Sequence, residues 1–172
     1  GVQTCALPIY TNAGKSSLMN ALTGAHVDVN DALFETLDAT TRAFQKDGMK
    51  VLVSDTVGFI QRLPTSLVAS FRATLEEIDQ ADVPIHVVDS RSPAMLAQIE
   101  AVGQTLDALK IQAKPIVTAF NKVDRLTPLE RDALGMARFP NPVPIAAAHG
   151  TGIQELLGVV EAILDEQEGA VA

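Results

Sequence analysis

The chain is poor in cysteine and in positive charge, and it has no long apolar run. Cys5 is the only cysteine among 172 residues, so an internal disulfide is excluded and a reducing, cytoplasmic setting is expected. No stretch approaches the ~18 consecutive apolar residues that read as a membrane-spanning helix, so no membrane partner is expected. The first nine residues lack the charged start of a signal peptide, and no basic, Ser-rich transit segment is present. Lys and Arg number 13 against 21 Asp and Glu, a net charge of −8. A domain that gripped nucleic acid through phosphates would carry the opposite sign. Contact with RNA would therefore need a local patch or another domain. His26, His86 and His149 lack the spacing of a shared metal site, and no repeat or low-complexity segment is visible.

What is present alternates helical and strand-like segments, which predicts one α/β domain with helices on both faces of a mostly parallel sheet. Leu18, Met19 and Leu22 set a helical period over Lys15–Thr23, which Gly24 suits as a terminator. Residues 25–41 have no period and read as a long loop. Asp47-Gly48 is a hairpin signal between strands at 42–46 and 50–54. Helices are predicted over 67–81, 95–109, 128–137 and 153–166. Buried strands are predicted at 85–88, 116–120 and 143–147. Residues 169–172 read as a frayed end or linker.

Three short motifs occur in order, each at the C-terminal end of a predicted strand, where open α/β sheets bind ligands. The first is Asn12-Ala13-Gly14-Lys15-Ser16, most of a phosphate-binding loop. Backbone N–H groups at a helix start point at phosphate, Lys15 adds a point charge, and the Ser16 hydroxyl can ligate Mg²⁺. The second is Asp55-Thr56-Val57-Gly58. Asp55 can hold Mg²⁺ through a water, and the Gly58 N–H can meet a γ-phosphate. The third, Asn121-Lys122-Val123-Asp124, selects the base. A carboxylate at Asp124 accepts both N1–H and the exocyclic amine of guanine, a donor pair that adenine lacks. The amides of Ala146, Ala147 and Ala148 can donate to guanine O6. The trio reads as a GTP site.

The flanking residues carry a more specific resemblance. Tyr10-Thr11-Asn12 through Gly24, Leu33-Phe34-Glu35-Thr36-Leu37-Asp38-Ala39-Thr40-Thr41-Arg42, Asp55 through Ile60 and Phe71-Arg72-Ala73-Thr74-Leu75-Glu76-Glu77 together resemble the GTPase domain of the HflX family, P-loop GTPases of the translation-factor class. The match runs from Tyr10 to about residue 164. The resemblance implies that Thr36 completes the Mg²⁺ shell with Ser16 and Asp55, with Thr40 as runner-up. Phe34–Asp38 would close over the nucleotide, and Lys15, Thr36 and Gly58 would act in hydrolysis of GTP to GDP and phosphate. It also implies a monomer that binds the large ribosomal subunit and helps split or rescue stalled ribosomes, mainly through an N-terminal domain not contained here. Phe59 stands where many GTPases place a water-orienting glutamine, so slow intrinsic hydrolysis is expected. Asn12, as in related GTPases, would recruit K⁺ in place of an arginine finger.

Two departures stand out. Ala146 occupies a place where the family usually has Ser. Ile9 stands where the loop's first glycine belongs, and a β-branched residue is poorly suited to the positive φ a glycine supplies. Pro8 lacks the N–H expected of a central strand. Residues 1–9 are encoded in frame by GGA GTT CAG ACG TGT GCT CTT CCG ATC, which resembles a sequencing adapter. The expectation is that 1–9 replace the natural first strand and that the G domain spans 10–168. The alternative to a working GTPase is a truncated nucleotide-binding fragment, impaired in hydrolysis by Ile9.

Overall fold

The computed structural model describes residues 2–8, 14–23, 40–46, 49–55, 81–108 and 114–171. These form β1 (Val2–Pro8), α1 (Lys15–Thr23), β2 (Thr40–Lys46), β3 (Met49–Asp55), β4 (Val83–Asp89), α2 (Met95–Ala108), β5 (Val117–Asn121), α3 (Pro128–Ala133), β6 (Pro142–Pro144) and α4 (Ile153–Val171). The strands make one sheet in the order β2-β3-β1-β4-β5-β6. Among the described strands only the β2–β3 pair is antiparallel; the other strand pairs are parallel.

Parallel strands with helices on both faces are buried on both sides and read as continuous apolar runs. β4 and β5 follow that rule, with nearly every residue buried. On one face Ile85, Val87, Val117, Ala119 and Val143 pack against Leu18 and Leu22 of α1 and Leu156 and Val160 of α4. On the other, Val88 and Phe120 pack against Met95 of α2 and, beyond α3, Met136 and Phe139. The Phe120 and Phe139 rings meet tilted, with centroids 5.4 Å apart.

The fold departs from the sequence expectations at several boundaries. Val2–Pro8 forms a central strand despite Pro8. Pairing with β3 ends at Ala6↔Asp55, so at Pro8 only β4 still runs alongside, with Pro8 opposite Val87. The proline therefore stands where the strand is one-sided, a position that tolerates a missing N–H. Thr40 and Thr41 belong to β2, opposite Asp55 and Ser54, and not to the preceding loop. α3 stops at Ala133 and not at 137, because Gly135 turns left-handed at φ 57° before a 3₁₀ turn at Met136–Arg138. Its start is as expected: Pro128 opens it, and Thr127 and Glu130 cap each other reciprocally. The last strand is the edge segment Pro142–Pro144, and Ala147 lies in a 3₁₀ turn. α4 continues through Gly169 to Val171. The helix expected over 67–81 falls almost wholly outside the described residues.

His86 lies in the middle of β4, and burial pushes its pKa from 6.5 down to about 4. Between those values the unfolded chain binds a proton that the folded chain refuses. Stability therefore falls as pH drops from about 6.5 toward 4, by up to about 1.4 kcal/mol per pH unit from this group. Urea unfolding at pH 7 and pH 5 checks this: His86→Leu should lose less stability over that interval than the unsubstituted chain.

Candidate nucleotide site

β1 lies between β3 and β4, so the sheet order reverses around it, and a crevice at the carboxyl ends of such strands is where α/β folds take ligands. The described motif residues stand along that edge. Asp55 ends β3, opposite Ala6. Asp89 ends β4, opposite Asn121 at the end of β5. Gly14 immediately precedes α1, and the turn at Ala147–His149 follows β6.

On the phosphate side, Gly14 has φ +90°, a conformation that side chains rarely adopt, and its carbonyl accepts the Leu18 N–H at 2.9 Å to begin α1. Ser16, in the first turn, is 3% exposed. The backbone of Lys15 starts the helix and that of Asp55 closes β3; their side chains lie outside what is described, as do Ile9, Tyr10, Thr11, Asn12 and Ala13. The same holds for Phe34, Glu35, Thr36, Leu37 and Asp38, for Thr56, Val57 and Gly58, and for Phe59 and His26. Among the described residues no group of three His, Cys, Asp or Glu side chains could hold a metal ion.

The base side is fully described. Asn121 is 2% exposed, and its Oδ1 accepts the Ala147 N–H at 3.0 Å. On its other flank it abuts Gly14 so closely that a Cβ added there would overlap the Asn121 amide nitrogen. One side chain thus bridges the phosphate loop to the segment after β6. Lys122 turns left-handed at φ 64° and leads into a 3₁₀ turn at Val123–Arg125. That turn is fastened by the Val123 N–H to the Ile145 carbonyl (3.2 Å) and by Arg131 Nη2 to the Val123 carbonyl (3.2 Å). Asp124 is consequently presented at the surface, where His149 Nε2 lies 3.4 Å from its Oδ2. Lys122 Nζ donates to Asp89 Oδ2 at 2.7 Å.

Two features were not legible beforehand. Ala146, Ala147 and Ala148 were expected to offer their amides alike. The Ala146 N–H instead donates to the Thr151 carbonyl (3.0 Å) and that of Ala147 to Asn121, which leaves Ala148, exposed in the same turn, as the candidate donor to a base carbonyl. Asp89 belongs to none of the three motifs. Its one signal was that it is a carboxylate at the functional edge, on the strand beside β5.

The topology is that of a P-loop GTPase domain. A family model described as 50S ribosome-binding GTPase matches residues 7–122. GTPase HflX of Chlamydia pneumoniae is 44% identical over 172 residues, covering 97% of this chain and 36% of that protein. GTPase HflX of Magnetococcus marinus is 47% identical over 158 residues, covering 90% and 36%. The solved structure of Era in complex with MgGDPNP and nucleotides 1506–1542 of 16S ribosomal RNA superposes with a TM-score of 0.75 at 21% identity, over 92% of this chain and 55% of that one. The chain belongs to the family of 50S ribosome-binding GTPases, and within it to the GTPase domains of HflX type. It spans little more than a third of the length of these two HflX relatives.

The bridge at Asn121 makes a stability prediction. Asn121→Ala leaves the Ala147 N–H without its acceptor inside the protein, which should cost about 1–3 kcal/mol. Chemical denaturation of the nucleotide-free chain measures it, and a change under 0.5 kcal/mol would show that the bridge carries no load.

Proposed function

We propose that this domain binds GTP and hydrolyses it to GDP and phosphate, and that its nucleotide state governs docking on the large ribosomal subunit. The observation that carries the reading is the seating of Asn121-Lys122-Val123-Asp124 at the end of β5. Asn121 is buried and bridged to both neighbouring loops, and Asp124 is held at the surface by a fastened turn. In this reading Asp124 accepts from guanine N1–H and its amine, and the start of α1 with Lys15 receives the phosphates.

Ser16, Thr36 and Asp55 are hard oxygen donors of the kind Mg²⁺ prefers, and the two with described backbones stand on the same carboxyl edge, flanking β1. They would hold the ion, which supplies charge neutralisation on the phosphates. Phe34–Asp38 would close over the nucleotide, and contacts of residues 25–41 and 56–66 with the γ-phosphate would let the domain report its nucleotide state. The ribosomal partner is supported by the description of the matching family. With a net charge of −8 on this domain, most contact with ribosomal RNA would come from other parts of the full-length protein.

Replacing Asp124 with Asn exchanges a pair of acceptors for one acceptor and one donor. Xanthine carries a carbonyl where guanine has its amine, so Asp124→Asn should lower GTP affinity at least ~10²-fold and favour XTP. Equilibrium binding with both nucleotides checks it; unchanged GTP binding would remove Asp124 from the site. If the chain itself fails to bind GTP while an Ile9→Gly variant binds, the impaired-fragment reading holds instead. Co-sedimentation of the full-length protein with 50S subunits should require a non-hydrolysable GTP analogue and be lost with GDP. Equal pelleting in both states would sever the nucleotide state from docking.

A further inference from the structure

The Lys122–Asp89 pair has a role that the motif alone does not contain. Lys122 belongs to the base-selecting loop, but Asp89 comes from a different strand and from no motif. The pair is short, 2.7 Å between Nζ and Oδ2, and half-shielded, with the two side chains 25% and 22% exposed. Asp89 is itself fixed. Its other carboxylate oxygen accepts the Arg91 N–H at 2.9 Å, and its backbone carbonyl accepts the Ser92 N–H at 3.1 Å. The register sets it directly beside Asn121, whose carbonyl accepts the Ser90 N–H at 3.1 Å. Lys122 therefore reaches for a carboxylate that is already immobile.

The direction of that reach matters. In the sheet β4 lies between β1, which leads into the phosphate loop, and β5, which ends in the base loop. A lysine drawn from the end of β5 to the end of β4 lays its aliphatic stem along the carboxyl edge. It heads from the base side toward the phosphate side. β1 and β5 are two strand spacings apart, about 10 Å, and a nucleoside diphosphate with its base on one loop and its phosphates on the other must cross that span. We propose that Asp89 is a positioning residue of the nucleotide site: it holds Lys122 outstretched before the ligand arrives, so that the stem forms a ready floor for the base and sugar. This rests on the guanine-nucleotide reading of the site.

An unanchored lysine would have to give up its rotamer freedom on binding. That cost is about 0.5–1.5 kcal/mol for a long side chain, equivalent to roughly 2- to 12-fold in affinity. Asn at position 89 keeps an acceptor for the Arg91 N–H while removing the charge that holds the ammonium.

The test is equilibrium titration of the full chain with fluorescent GDP, alongside thermal melts. Asp89→Asn should raise the Kd roughly 2- to 12-fold, with a melt close to the unsubstituted chain. Lys122→Met should weaken binding on its own, and adding Asp89→Asn to it should cost nothing further. Asp89→Glu, which keeps the charge, should bind within about twofold of the unsubstituted chain. A general structural role for Asp89 would instead lower affinity by the same factor with or without Lys122. That result, or an unchanged Kd in Asp89→Asn, overturns the proposal. Should Asp89→Asn not fold, the Glu variant decides: binding reduced well beyond twofold in a chain with a normal melt contradicts it. Absence of GDP binding by the unsubstituted chain removes the nucleotide reading itself, and this proposal with it.

Discussion

The site depends on one buried amide. Asn121 ends a strand whose every residue is buried, so its side chain cannot be satisfied by solvent. A polar group in that position must find protein partners or cost several kcal/mol. It finds one in the Ala147 N–H, and it packs so tightly on Gly14 that no larger residue could stand there. The constraint runs both ways. The amide holds the base loop and the segment after β6 together, and it requires a glycine at the mouth of the phosphate loop. Three loops that are far apart in sequence are thereby tied at one point, and a nucleotide that touched them all would meet a preorganised surface.

The sheet supplies the rest. Parallel strands covered on both faces bring the ends of β3, β4 and β5 to one edge without dedicated side-chain scaffolding. The strand prolines stand where the sheet pairs on one side only: Pro142 and Pro144 in the edge strand β6, Pro84 before the pairing with β5 begins at Ile85, and Pro8 past the last pairing with β3. Gly152 is another fixed point. Its positive φ and its contact with the Pro144 carbonyl leave no room for a Cβ, which holds the chain close as it turns from β6 into α4.

Much of this was legible from residues alone, for physical reasons. α1 was readable to its ends because its apolar residues repeat at the helical period and a glycine follows. The antiparallel pair was readable because Asp47-Gly48 has one common use. The base loop was readable because few patterns other than guanine recognition need Asn, Lys and Asp at that spacing. What escaped were contacts made across the sheet. Nothing local to Asp89 announces that it receives Lys122, 33 residues away. Nothing in Ala146-Ala147-Ala148 says which amides are engaged by the protein. Whether a proline fits a strand depends on the pairing register, and the residues alone do not show that at Pro8 the pairing with β3 has ended and only β4 runs alongside.

Amide hydrogen exchange tests the central claim, that Asn121 ties the phosphate loop and the base segment into one guanine site. Saturating GDP should slow exchange together in the first turns of α1 and in residues 145–149, and ADP at the same concentration should slow neither. Protection confined to one of the two segments, or equal protection by ADP, would contradict it.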